Sequence, residues 1–490
     1  MDTVDSETPT AAATDFMVAP EDTCHLLPQR FLYRSTRTIQ KAAHKYEPNL
    51  SSRVHSRGRP GTDTARLGGS KASNGWAAEG ISVLDKVFRF LLLVLLTSAC
   101  AAVGVIARAD PAPAQQESAL VTLPEPTGSE PIGVVDLHLV DASRRDPYVS
   151  ARTRELMVSI WYPAADPAAM PLRPWVSEHV WRAYTDWLAE AGLPITGSLM
   201  VGSSHGRVGA AANSAAGRRP IILFSPGMGM PRETSTAQAE DLASHGFVVV
   251  TMSHTYESTA TEFPGGRLEK SVLPQGADAD EVYAQVGQAI QTRISDTRFV
   301  LDRLTDLSAG IDPDADGHPL PANLAGALDP SKIAMFGHSL GGATAAQVMH
   351  DDRRVAASVD LDGTLLGSVL TDGLDRPFVL IGSTDHGRAQ DPSWQQFWAN
   401  DRGPKMEFRL AGSQHLSFCD NQLIVPALAA AGIMPADFAA EVVGTIAPQN
   451  SLDLQRGYLR TFFDTTFGRY DDLAKDPPTT LLHPEMIPVP

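Results

Sequence analysis

At 490 residues, 43% hydrophobic and 20% charged, the chain has the make-up of an ordinary globular protein with ample core. Its formal net charge of −17 arises from the residues after 110, and it excludes nucleic acid as a partner and electrostatic docking on anionic lipid.

Residues 1–82 are rich in Ser, Thr, Arg and Ala, lack hydrophobic periodicity and carry scattered Pro and Gly, which predicts disorder. A basic flank, Lys86-Val-Phe-Arg89, then opens an apolar run, Phe90 to Leu96, and small residues end at Ala107-Arg-Ala109. This order predicts a secretory signal peptide over 83–109 and a secreted or cell-envelope protein. A single membrane anchor over Phe90–Ile106 is the second reading. Lipid attachment at Cys100, in a poor lipobox, is the third. Because a signal normally opens a chain, translation is expected to begin near Val83 or Val87, leaving residues 1–82 outside the exported protein. Of Cys24, Cys100 and Cys419, only Cys419 would survive cleavage at Ala109, so no internal disulfide is expected.

Residues 110–131 read as a Pro-, Ala- and Glu-rich linker. Alternating runs at Ile132–Leu139 and Arg154–Trp161 predict two antiparallel strands. Residues 163–219 break the pattern and hold Trp175, Trp181, Tyr184 and Trp187, which predicts a helical cap insertion. Its aromatics either pack the cap onto the core or line a substrate pocket. From Pro220 onward, strands at 221–224, 247–252, 333–336, 356–361, 378–381 and 406–410 alternate with helices at 236–245, 285–304 and 452–463. The predicted fold class is α/β, a mostly parallel central sheet flanked by helices, over a domain of 132–475 with a tail at 476–490.

The most informative stretch is Lys332 to Gly342, an apolar run followed by Gly337-His-Ser339-Leu-Gly341 and an Ala-rich helical segment. Gly-x-Ser-x-Gly between a strand and a helix is the nucleophile elbow of an α/β-hydrolase, which lifts one serine oxygen above the sheet. A serine hydroxyl needs a base, an acid to orient that base, and donors for the oxyanion. In this fold the chain order is Ser, acid, His. His350 would sit on the elbow helix and His483 in the tail, while His386 follows an earlier strand. His415 lies in a loop directly after a strand, where the base belongs. Two aspartates compete for the acid: Asp362 follows the strand at 356–361, and Asp385 follows the strand at 378–381. Pattern alone leaves them even. Leu340 N–H supplies one oxyanion donor and Met228, in the Gly-rich loop Phe224–Gly229, the other.

No His-Glu-x-x-His or Cys-x-x-Cys occurs, and Asp312–Gly317 lacks the spacing and terminal Glu of a calcium loop, so it reads as a solvated turn. No metal and no cofactor is called for.

The pieces Phe224-Ser-Pro-Gly-Met-Gly229, Asp241 to Phe247, Lys332 to Thr344, Val359-Asp-Leu-Asp-Gly363 and Gly412-Ser-Gln-His-Leu-Ser-Phe418 resemble the plasma and type-II platelet-activating factor acetylhydrolase family. The resemblance spans about 200 residues in the right order and implies an α/β-hydrolase that cleaves short or oxidised sn-2 acyl phospholipid esters. It assigns the acid to Asp362, keeping Asp385 as the alternative, the base to His415 and an oxyanion donor to Met228. It also implies a small-molecule ester or lipid substrate and transient contact with a membrane or lipoprotein surface. Pro226 stands where the family often has His, and Gly363-Thr364 follow the acid in place of large apolar residues. Secreted polyester and triacylglycerol hydrolases, of cutinase or lipase type, look similar around the elbow and are the rival reading. A non-catalytic cell-envelope binding protein on the same fold is the alternative of another class.

Overall fold

A computed structural model describes residues 118–190, 198–215, 217–274, 279–469 and 483–489. The expected N-terminal extension, the signal segment and the first part of the linker lie outside the described residues.

The strands are β1 (Ser118–Val121), β2 (Ile132–Arg145), β3 (Thr153–Pro163), β4 (Leu172–Pro174), β5 (Ser198–Val201), β6 (Ser203–Val208), β7 (Arg219–Ser225), β8 (Val248–Ser253), β9 (Ala260–Phe263), β10 (Arg267–Lys270), β11 (Leu328–His338), β12 (Val355–Leu361), β13 (Phe378–Gly382), β14 (Lys405–Leu410) and β15 (Met486–Pro488). Eleven of them form one sheet in the order β15-β14-β13-β12-β11-β7-β8-β3-β2-β6-β4. From β8 through β14 the strands are parallel, whereas β3 runs antiparallel to both β8 and β2.

The central strands are buried on both faces, so they read as near-continuous runs of Val, Ile, Leu and Phe. On one face Leu223, Val250 and Met335 pack with Val300, Leu301 and Leu304 of the helix Ala279–Ser308 and with the elbow helix Leu340–Asp351. On the other, Phe224, Phe336 and Ile381 pack with Leu242 of the helix Thr236–Ser244 and with Leu459 and Phe463 of the helix Pro448–Thr466. Each such side chain, fully buried, contributes about 1.5–3 kcal/mol. The mixed sheet between two helical layers is the expected α/β class.

Three expectations about the surroundings need correction. The insertion at 163–219 holds one helix among its described residues, Glu178–Glu190, and its other segments are β4, β5 and β6, with β4 and β6 extending the sheet edge. The supposed linker is partly folded: β1 pairs in parallel with β5, Val121 and Leu123 are buried, and Arg456 donates to the carbonyls of Pro124 and Glu125. The tail supplies β15, which closes the sheet antiparallel to β14. Among the described residues no helix is long and apolar enough to cross a membrane.

Candidate active site

The site gathers at the carboxyl ends of β7, β11, β12 and β14, the crevice where open parallel sheets place their ligands. Ser339 joins β11 to the elbow helix at φ 57° and ψ −125°, a backbone state that costs about 1–3 kcal/mol and persists only when its surroundings fix it. The glycines around it explain the motif. A Cβ at Gly341 would strike the Ser225 carbonyl, and one at Gly337 would strike that of Gly341. Only hydrogen at these positions lets β7, β11 and the helix approach so closely.

Ser339 Oγ–H donates to His415 Nε2 over 3.0 Å, and His415 Nδ1–H donates to Asp362 Oδ2 over 2.6 Å. His415 opens a short 3-10 turn, His415–Phe418, in the loop after β14, where it stays partly open to solvent, as does Ser339. Asp362 directly follows β12 in the left-handed region, at φ 58°, which an aspartate tolerates better than most residues. Of the two candidate acids, the structure brings Asp362 to His415; Asp385 is exposed on the loop after β13.

The second oxygen of Asp362 is held as firmly as the first. Oδ1 accepts from Ser383 N–H (2.6 Å) and from His386 Nδ1–H (2.8 Å). His386 Nε2–H donates in turn to Asp391 Oδ2 (3.0 Å), and its ring stacks on Trp394 at 4.4 Å. Burial alone would make Asp362 a weaker acid, but the His386 charge and the hydrogen bonds of both histidines hold it well below the usual carboxylate range. Burial would likewise neutralise His386, yet Asp362 and Asp391 carry it up to about 10, so it is an imidazolium. Burial raises Asp360, two residues before Asp362, well above the usual carboxylate range.

His338 lies under the base. Burial, with the charge of His415 when protonated, pushes it down to about 3, so it is neutral and donates through Nε2 to the His415 carbonyl at 2.9 Å.

The loop after β7 carries Met228. Its N–H is used by no hydrogen bond among the described residues, and Leu340 occupies the first helical position, where N–H groups have no intrahelical acceptor. Both are therefore available as oxyanion donors. A fully buried ion pair fixes this loop: Arg293 donates to the carbonyls of Pro226 (2.5 Å) and Gly227 (3.0 Å), while Glu257 binds Arg293 (2.6 Å) and accepts from Gly229 N–H (3.2 Å). Against the outer side of Gly229 rests Trp187 of the insertion, stacked on Tyr184 at 5.9 Å. Trp175 and Tyr184 are buried, so the insertion's aromatics pack inward while Trp187 reaches the oxyanion loop. The Asp312–Gly317 segment is tied down by Asp314, which accepts from His138 N–H (2.9 Å) and His318 N–H (3.0 Å).

Of the residues that sequence reasoning singled out, the structure brings together Ser339, His415 and Asp362, the last preferred over Asp385 only with the help of resemblance. Sequence reasoning missed the roles of His386, Asp391, Arg293 and Glu257; a histidine and an acid five residues apart after a strand carry no recognisable signature.

A strand–elbow–helix, this sheet order and a Ser–His–Asp chain at the carboxyl edge define an α/β-hydrolase. The sequence profile of the family described as platelet-activating factor acetylhydrolase, isoform II, matches residues 116–468, and the chain belongs to that family. It is similar to a probable 1-alkyl-2-acetylglycerophosphocholine esterase from Arthroderma benhamiae, 27% identical over 403 residues, covering 74% of this chain and 93% of the relative. A platelet-activating factor acetylhydrolase from Cavia porcellus is 26% identical over 291 residues, with coverages of 55% and 64%. Among solved structures, a ferulic acid esterase from Streptomyces cinnamoneus is 34% identical with a TM-score of 0.60, covering 76% of this chain and 99% of that one. The chain is a carboxylic ester hydrolase of this family.

Proposed function

We propose that the chain is an exported serine esterase that cleaves short-acyl esters through an acyl-enzyme on Ser339. The observation that carries this reading is the unbroken hydrogen-bond chain from Ser339 Oγ through His415 to Asp362, open to solvent at the serine end. Ser339 Oγ attacks the ester carbonyl carbon as His415 Nε2 takes its proton. Asp362 holds the Nδ1–H tautomer and stabilises the imidazolium so formed. The N–H groups of Met228 and Leu340 hold the oxyanion, worth about 3–4 kcal/mol per donor. Collapse expels the alkoxide, which takes the proton from His415. Water, activated by the same base, then releases the acid.

The acetyl ester named for the fungal relative is a short-acyl ester, and it supports this reading. The ferulate named for the Streptomyces structure favours a second reading, an aromatic acyl group. A panel of 4-nitrophenyl esters from acetyl to palmitoyl, with an sn-2 acetyl phospholipid and methyl ferulate, separates these. Acetyl esters are expected to be turned over at least about tenfold faster than long-chain ones, a difference of roughly 1.4 kcal/mol. Preference for palmitoyl would sink the short-acyl reading, and preference for ferulate would install the second. Export rests on the basic flank, apolar run and small-residue site of residues 83–109. Native protein whose N-terminus lies before residue 83 would remove it.

A further inference from the structure

We propose that His386 is a positioning residue for ester cleavage: lodged between Asp362 and Asp391, it anchors the carboxylate that orients His415 and tunes the negative charge presented to it. The inference rests on the reading of Ser339, His415 and Asp362 as the reacting groups.

The geometry is a single line of hydrogen bonds. It runs from Ser339 Oγ to His415 (3.0 Å), from His415 to Asp362 (2.6 Å), from Asp362 to His386 (2.8 Å) and from His386 to Asp391 (3.0 Å). Its far end is built as rigidly as its near end. Asp391 caps the helix Pro392–Asn400 by accepting from Ser393 N–H (2.7 Å), and it also accepts from Thr364 Oγ–H (2.9 Å). Trp394 in that helix stacks on the His386 ring and donates from Nε1 to the Gly363 carbonyl (2.7 Å), tying the helix to the residue after Asp362. An imidazolium over an indole face is also held by cation–π attraction. Asp362, His386, Asp391 and Trp394 are all buried, with His386 at 2% exposure.

The charges facing His386 come from every element around it. β12 and its end bring Asp360, which burial raises well above the usual carboxylate range, and Asp362; the cap of the helix Pro392–Asn400 brings Asp391; and the loop after β14 brings His415. The Arg388–Glu407 pair on the adjoining loop and β14 is internally compensated. Two carboxylates and one cation leave this cluster with a charge of one minus, the same as a lone aspartate would give, but spread over a longer, fixed array. A lone aspartate buried this deeply would have only two donors on it, Ser383 N–H and His415. With His386 in place it has three, and it cannot rotate when His415 gains and loses its proton.

Because the cation and the outer anion act in opposite senses, substitution of each should move the low-pH limb of the kcat/KM profile in opposite directions. His386→Gln leaves two carboxylates without their cation; the more negative site favours protonation of the base, and the limb moves up by about one pH unit. Asp391→Asn leaves the cation with one carboxylate, and the limb moves down by a similar amount. In both variants kcat should fall with KM little changed, because neither residue touches substrate. Both are compared with the wild-type enzyme on one acetyl ester, after folded protein has been quantified by near-UV circular dichroism. Opposite shifts support the proposal. Shifts in the same direction, or a limb at the wild-type pH in both, overturn it, since a purely structural role would change only the amount of active protein. Where His386→Gln is not recovered folded, the downward shift of Asp391→Asn alone decides. A wild-type enzyme that turns over ester while a fluorophosphonate leaves Ser339 unlabelled refutes the underlying triad instead, a result that the pH limbs cannot mimic.

Discussion

Ser225 Oγ–H donates to His254 Nε2 over 3.0 Å, and His254 Nδ1–H donates to Asp296 over 3.0 Å, the same residue types in the same order of contact as Ser339, His415 and Asp362. All three are fully buried, and Arg293 also donates to Ser225 Oγ. Burial and the neighbouring Arg293 charge hold His254 in its neutral form. No substrate reaches this second chain, so it braces β7 and β8 beneath the oxyanion loop, and access separates a reacting serine from a structural one. At the reacting site, Asp362→Asn is expected to lower kcat about 10⁴-fold by presenting the wrong tautomer, whereas Asp385→Asn, on an exposed side chain, should stay within about twofold. The reverse outcome in steady-state kinetics would reassign the acid. Ser339 and His415 were legible because an elbow has a local pattern and the chain order fixes its base. The acid was not, because Asp362 and Asp385 both follow strands, and what distinguishes them is a left-handed φ that swings one carboxylate toward His415. His386 was visible only as a rival base, since its two carboxylate partners lie 24 and 5 residues away.

Each element that shapes the site does so through its termini. β7 and its loop are pinned by Arg293 and Glu257, a pair with no exposed side-chain surface. Burial would raise Glu257, but the Arg293 charge holds it below the usual range, so the pair is ionised. Glu257→Gln leaves a buried guanidinium without its counter-ion and frees Gly229 N–H. It is expected to cost about 3–5 kcal/mol of unfolding free energy in urea titration, and to slow turnover as the loop loosens. A loss under about 1 kcal/mol would mean that the pair is not what holds the loop. The interior strands were legible because each is a short apolar run bounded by turn residues, and only their ends moved: the elbow strand extends from the expected 333–336 to Leu328–His338. The insertion was misjudged because β4 has only three residues, and β6, Ser-Ser-His-Gly-Arg-Val with two exposed and two half-buried positions, has too few apolar side chains to show period two. β15 is a Met-Ile-Pro segment with one buried side chain, recognisable only through its partner β14.

At the scale of the whole molecule, composition announced a globular acidic protein, and the alternation of strands and helices announced its class. The chain order of elbow, acid and base then placed the chemistry at one edge of one sheet. The limits of the folded unit were less legible. Packing of Val121 and Leu123, and of Met486 at the other end, carries the fold beyond 132–475 on both sides. These contacts join segments far apart in sequence, which no local pattern records. Turnover depends on one oxygen atom, Ser339 Oγ, and a fluorophosphonate reports on it directly, because it phosphonylates only a serine made nucleophilic by its base. Incubation of the full chain followed by intact-mass and peptide mapping is expected to show one adduct per chain, on the peptide containing Ser339. The adduct should be absent in Ser339→Ala and preserved in Ser225→Ala. An adduct on another residue, or none from a preparation that still hydrolyses acetyl esters, would contradict the assignment of Ser339 as the nucleophile.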